Sequence, residues 1–184
     1  MIKKLLIPAL FASSTLFAQC AFESKDIKVS WTAFKAYEKI GVNGSFNDVN
    51  LQTNSNASLA KALTNMSVKI KTASINTNHE ERDATLVKSF FEVQNVSEIK
   101  AKILKVSEKS LHVEITMNDV TRTIPFSYTK SNDELKANGV IDVNDFHMLL
   151  SLGAINKACY DLHEGKTWQD VELSFTLQLD KTCK

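Results

Sequence analysis

Cys159 and His163 stand four residues apart in Leu149 to His163, a stretch that reads as partly helical. On a helix this spacing puts the thiol and the imidazole on one face. Such a pair can activate a thiolate or supply two ligands to a metal ion. Two ligands alone do not make a metal site. The remaining histidines, His79, His112 and His147, add no zinc spacing and no His-Glu-x-x-His pattern. His112 falls on the polar face of a strand, where water would solvate it. No Cys-x-x-Cys-His haem attachment sequence occurs. Arg82-Asp83 is the second pair with chemical potential. Arg82 could hold the headgroup of a ligand. The structural alternative, which we favour, is an ion pair or a cap by Asp83 on the helical turn that follows. The residues therefore assign no catalytic group and no metal.

The elements that must position these groups are mostly strands. Val171, Leu173, Phe175, Leu177 and Leu179 alternate with Glu172, Ser174, Thr176, Gln178 and Asp180. Period-two alternation puts one strand face in an apolar interior and the other in water. The same pattern predicts strands at Ile27 to Lys35, Val42 to Leu51, Met66 to Ala73, within Phe91 to Val106, around Leu111 to Met117, Val120 to Tyr128 and Leu135 to Val143, and an eighth beyond Trp168. The short Asn118-Asp119 connection suits a tight hairpin. Ser58 is placed to cap a short helix through Leu63, and Asn76 to Lys88 predicts an irregular segment with one helical turn. Many half-buried antiparallel strands with few helices predict an all-β sandwich or closed barrel. An eight-stranded barrel has an interior just wide enough for side chains or one small ligand.

The first residues read differently. Lys3 and Lys4 precede the apolar run Leu5 to Phe17, with small residues near Ala18. This is the layout of a secretory signal peptide, too short for a membrane span. The domain division is 1–18 signal peptide and 19–184 barrel domain. Gln19 before Cys20 fits a lipoprotein signal poorly. Loss of Lys3 and Lys4 takes the formal charge from +1 to −1. A nearly neutral chain makes no electrostatic case for nucleic-acid binding. About 165 mature residues suit one domain with a real core. Export to the periplasm is the expected localisation, with full secretion as the alternative.

An oxidising compartment favours cysteine pairing. Eight strands running alternately up and down return the C-terminus to the rim where the first strand begins. Cys20 and Cys183 then share a rim, and Cys159 belongs to the opposite one. The expected disulfide is Cys20–Cys183, with Cys159 free, provided that cleavage leaves Cys20 in the chain.

Several segments carry a family resemblance. Trp31-Thr32-Ala33-Phe34-Lys35 followed by Gly41-Val42-Asn43-Gly44-Ser45-Phe46 resembles the opening of the YceI family. So do Ala73-Ser74-Ile75-Asn76-Thr77 with Arg82-Asp83, Leu86 and Phe90-Phe91, the hairpin Ile115 to Arg122, and Asp145-Phe146. The resemblance runs over residues 27–181 and departs from the family at the Asn- and Ser-rich stretch Asn50 to Ser58 and at the long connection Gly153 to Trp168. It implies an eight-stranded antiparallel lipocalin-like barrel with short helical connections. It also implies an amphiphilic ligand such as a polyisoprenoid, quinone or fatty-acid derivative, no cofactor beyond that bound lipid, and a homodimer among the partners. The expected wall of such a cavity is Trp31, Phe34, Phe46, Phe90, Phe91, Phe126, Phe146, Trp168 and Phe175. Taken singly, each of these aromatics reads more readily as core packing, and the case for a cavity wall rests on the resemblance. Three function classes follow: an exported lipid-binding protein without chemistry, an interaction domain with a solid core, and an enzyme using Cys159 and His163.

Overall fold

The computed structural model describes residues 20–53, 58–180 and 183. The signal segment, its cleavage region and residues 54–57 of the Asn- and Ser-rich stretch lie outside the described residues.

Ten strands form one antiparallel sheet: β1 (Ile27–Lys35), β2 (Ile40–Phe46), β3 (Val49–Gln52), β4 (Ser67–Lys71), β5 (Ile75–Asn76), β6 (Glu98–Val106), β7 (Ser110–Met117), β8 (Val120–Lys130), β9 (Glu134–Asp142) and β10 (Thr167–Gln178). The expected count of eight is corrected to ten, and the reason is local. The expected second strand breaks at Asn47-Asp48 into β2 and β3. The expected third is followed, after the turn Thr72–Ser74, by the two-residue β5. Both breaks fall at the same place. β2 pairs with β1 and, through Ser45 and Phe46, with β5, whereas β3 pairs with β4. The sheet order is β3-β4-β6-β7-β8-β9-β10-β1-β2-β5. Its terminal strands β3 and β5 thus continue strands at the opposite end of that order, and the sheet curls round an apolar interior.

Strand β7 shows the sequence pattern most directly. Leu111, Val113, Ile115 and Met117 are buried, and the residues between them face outward. His112 is an exception to its expected solvation. It is half-buried, and its Nδ1 is enclosed without a hydrogen-bond partner among the described residues. Asn118 and Asp119 both take positive φ, at 53° and 58°, as a two-residue turn with the twist of the flanking strands requires. Two strand glycines make room for rings. Gly44 sits opposite Trp31 in the β1–β2 ladder, and a Cβ there would collide with the indole. A Cβ at Gly139 would lie 2.7 Å from the Phe126 ring.

Among the described residues the α-helices are α1 (Leu59–Leu63), α2 (Glu80–Leu86) and α3 (Leu149–Ala158). Ser58 occupies the N-cap position of α1, but its hydroxyl makes no capping bond. At α2 the cap is His79, whose Nδ1 accepts from the Arg82 backbone N–H at 3.3 Å. Asp83 is not the cap. Its Oδ1 accepts from the backbone N–H and hydroxyl of Thr77, at 2.8 and 2.6 Å, and so pins the preceding loop. α2 runs into a π-helical turn at Val87–Phe91. Gln94 then ties this segment to α3: its Oε1 accepts from the Ser151 N–H and hydroxyl, and its Nε2 donates to the His147 carbonyl. Cys20 and Cys183 are buried and disulfide-bonded, with Cα atoms 4.7 Å apart. Cys159 is free.

Candidate ligand cavity

The inward faces of β1 and β10 have the same alternation as β7 but not the same burial. Val29 faces Phe175, Trp31 faces Leu173 and Ala33 faces Val171 across the ladder. Of these six only Trp31 is fully buried. Ala33, Val171 and Leu173 stay half-buried because they face a cavity of about 460 Å³, which is within the range of small-molecule sites, and Val29 and Phe175 because they face a smaller space beside it. The sheet side is lined by Trp31, Ala33, Phe46, Ile141, Val171 and Leu173, among others. The cover comes from Arg82, Thr85, Leu86, Phe90 and Phe91 of the α2 segment and from Leu152 and Ile155 of α3 with its C-cap Cys159. Spacings of three and four residues put these α3 side chains on one face. A second chamber of about 100 Å³ lies deeper. Phe46, Ile99, Met117, Ile141 and Leu173 line both spaces and form the collar between them.

Six of the nine predicted wall residues, Trp31, Phe34, Phe46, Phe90, Phe91 and Trp168, line the larger cavity. Phe90 and Phe91 meet edge to face at 5.1 Å, and Phe46 lies 6.4 Å from Phe91. Phe126 and Phe175 line the deeper chamber with Phe46 and stand 6.0 Å apart. Phe146 lines neither space, which corrects its assignment. It is fully buried in the turn Val143–Phe146, which packs against β8 and β10, and its carbonyl accepts from Asn118. One polar atom of the wall is unmatched. Trp31 Nε1 is enclosed with no hydrogen-bond partner among the described residues.

The mouth lies where β1 ends and β10 begins, opposite the disulfide. Trp168 holds it together. Its Nε1 donates to the Ala36 carbonyl at 2.8 Å, and Lys39 and Lys166 sit over its ring at 5.2 and 4.6 Å. Lys39 also pairs with Asp170 at 2.7 Å. Leu162 lines the cavity yet is 71% exposed, and its neighbour Tyr160 is 62% exposed, so the rim presents apolar side chains to solvent.

Polar groups gather at this rim and are scarce below it. Lys35, His79, Glu81, Arg82, Cys159, His163 and Thr167 all line the cavity. The guanidinium of Arg82 makes no ion pair or hydrogen bond among the described residues, which leaves it available at the mouth. Cys159 and His163 both line this rim, but not from one helix: α3 ends at Ala158 with Cys159 as its C-cap, and His163 lies in a separate 3-10 turn, Asp161–His163. Their chemistry is not that of an activated pair. Burial pushes the Cys159 thiol up, and nearby Lys35 opposes this only in part. An activated thiolate requires the opposite shift. Burial, then Lys35, pushes the His163 imidazole down. No group of three or more His, Cys, Asp or Glu side chains is arranged for a metal among the described residues. What the sequence did not reveal is the hydrogen-bond chain behind His163, which runs through Thr167 and Asn156 to the Gly165 carbonyl. Neither residue belongs to any motif.

The fold is thus an all-β curled antiparallel sheet whose apolar interior opens through a polar rim. A family model described as a YceI-like domain matches residues 21–179, and the chain belongs to that family. Solved structures share the fold. A polyisoprenoid-binding domain from Saccharophagus degradans implicated in plant cell wall breakdown aligns with a TM-score of 0.61 at 12% identity, over 89% of this chain and 98% of that one. Burkholderia cenocepacia BcnA aligns with a TM-score of 0.60 at 16% identity, over 85% and 98%. Campylobacter jejuni YceI aligns with a TM-score of 0.54 at 18% identity, over 76% and 85%. A search among curated proteins returns no match.

Proposed function

We propose that this is an exported protein that binds an amphiphile with a long apolar chain, a polyisoprenoid, quinone or fatty-acid derivative, and performs no chemistry on it. The observation that carries this reading is the cavity of about 460 Å³ with its apolar wall, deeper second chamber and polar mouth. Apolar space of this size is poorly filled by water, and each ligand methylene buried there contributes about 0.8 kcal/mol. The chain would run inward past the collar and the headgroup would stay at the rim. The interaction-domain alternative requires a filled interior, and the half-buried faces of β1 and β10 speak against it. The Cys159–His163 enzyme alternative requires a lowered thiol pKa, and burial acts the other way. Export is supported by the layout of residues 1–18 and by the disulfide, which suits an oxidising compartment. Engagement of Cys20 in that bond leaves no thiol there for acylation, which favours a form without a lipid anchor.

Cys159 provides the test, because it is the free thiol of the described chain and lines the cavity. N-ethylmaleimide modification is followed by mass spectrometry with and without farnesol, farnesyl methyl ether or oleic acid. At least one of these chain ligands is expected to slow modification about tenfold or more, and native mass spectrometry of gently purified protein is expected to show a co-purified apolar molecule. Unchanged labelling with all three, together with an empty protein, would overturn the proposal.

A further inference from the structure

The rim of the cavity holds one imidazole whose protonation is fixed by its neighbours. Asn156 Nδ2 donates to the Gly165 carbonyl at 3.1 Å. A carbonyl can only accept, so the Asn156 amide is oriented with Oδ1 towards Thr167. The Thr167 hydroxyl donates its single hydrogen to that Oδ1 at 2.9 Å. Having spent this hydrogen, Thr167 Oγ1 must accept from His163 Nδ1, 2.7 Å away. The proton of a neutral His163 is therefore on Nδ1, and Nε2 carries a bare lone pair. That nitrogen has no partner among the described residues and is not among their enclosed unpartnered atoms. The main chain that carries the ring is also held, since the His163 N–H donates to the Cys159 carbonyl at 2.9 Å and its own carbonyl accepts from the Lys166 N–H at 2.8 Å.

We propose that His163 Nε2 is the headgroup acceptor of the cavity and takes a hydrogen bond from a hydroxyl, so that the protein selects an alcohol or phenol over the matching ether or carbonyl compound. This rests on the chain-binding reading above and names the end group of that ligand. Burial and Lys35 both favour the neutral ring, which keeps Nε2 an acceptor. The charged and titratable groups around it are Lys35 from β1, Cys159 at the C-cap of α3, and His79, Glu81 and Arg82 across the mouth on the α2 side. The Lys35 ammonium forms no ion pair or hydrogen bond among the described residues, and Lys35 faces Thr167 across the β1–β10 ladder. A hydroxyl suits both neighbours, since it gives its proton to the imidazole and its oxygen can accept from an ammonium. An ether or aldehyde oxygen only accepts and leaves Nε2 unmatched. A carboxylate has no proton to give and would set its own lone pairs against the nitrogen.

The test compares farnesol with farnesyl methyl ether at pH 7.5, by displacement of N-phenyl-1-naphthylamine from the intact disulfide-bonded protein. The ether is the more apolar molecule, so partition alone favours it. One matched hydrogen bond in a partly buried site reverses the order, and an alcohol preference of about tenfold is expected. His163→Leu should bring the ratio to within about twofold, whereas His163→Gln, which keeps an acceptor, should retain part of it. Thr167→Val, which releases the tautomer while leaving the imidazole, should lower the ratio as well. Equal binding of the two ligands by the native protein would overturn the proposal while leaving chain binding intact, and no variant has to fold for that comparison. A preference that survives in His163→Leu would also overturn it. Binding of neither ligand would overturn it together with the isoprenoid reading on which it rests.

Discussion

Ala33→Leu separates a functional cavity from a packed core by the sign of its effect. Ala33 is on the inward face of β1 opposite Val171, is half-buried and lines the larger cavity. Leucine adds three carbons at that point. Full burial of three carbons stabilises by at most about 2.4 kcal/mol at 0.8 kcal/mol each. The new side chain would still face empty space on one side, so about 1 kcal/mol is the reasonable expectation. For a domain of this size that raises Tm by about 2–4 °C. A native-density core would respond in the opposite direction, because added methylenes there force rotamers and backbone apart at a cost of about 1–3 kcal/mol. Chain binding should fall in parallel, since the leucine occupies space next to the indole of Trp31. The assay is denaturant unfolding of the ligand-stripped protein beside dye displacement by farnesol. A more stable protein with at least fivefold weaker binding is expected. A protein destabilised by 1 kcal/mol or more would refute the reasoning, as it would mean that the wall of β1 and β10 is packed.

Gly44→Ala places a Cβ against the Trp31 indole and should destabilise by about 1–3 kcal/mol in denaturant melts, whereas Gly153→Ala in exposed α3, with no atom within 4 Å of the added carbon, should stabilise by up to about 1 kcal/mol. The Cys20–Cys183 bond closes a sequence separation of 163, for which the loop-entropy model gives about 5 kcal/mol as an upper figure. Cys20→Ser should therefore lower unfolding free energy by about 2–5 kcal/mol at equilibrium, and a loss below about 1 kcal/mol would show that the bond does not constrain the unfolded chain. Non-reducing peptide mapping should join the peptides carrying Cys20 and Cys183 and leave Cys159 alkylatable.

The strand pattern was legible where each strand is straight and has one apolar face. β1 has the limits read from its alternation, and β7, its turn and β8 follow the alternation and the Asn118-Asp119 signal. The extra strands were not legible. Nothing in Phe46-Asn47-Asp48-Val49 tells a bend inside one strand from a boundary between two, because the break is set by the pairing of Phe46 with Ile75 and of Val49 with Ile70. The cap of α2 was misread for a similar reason. Asp83 is a good capping residue in isolation, but Thr77 offers it two donors, and this leaves the cap to His79. Phe146 was assigned to the cavity as one aromatic among nine. Its burial comes from the packing of the Val143–Phe146 turn against β8, β9 and β10, which no local pattern announces.

The same limit explains why the cavity itself could not be read from the residues. Leu111, Val113 and Ile115 in β7 and Val171, Leu173 and Phe175 in β10 are the same kind of alternation in the same kind of strand. The first set is closed off and the second is half-open. The difference is in what stands over them. The α2 segment and α3, tied together by Gln94 and Ser151, roof the wall of β1 and β10 without descending into it. The height of that roof is a tertiary property, set by the π-helical turn at Val87–Phe91 and by the long connection that carries Cys159, His163 and Thr167. That connection carries Cys159, His163 and Thr167, and β1 and the α2 segment bring Lys35, His79, Glu81 and Arg82 to the same mouth. In this barrel the strands therefore supply an apolar wall that many chains could supply, and the segments that connect them supply the polar groups of its mouth.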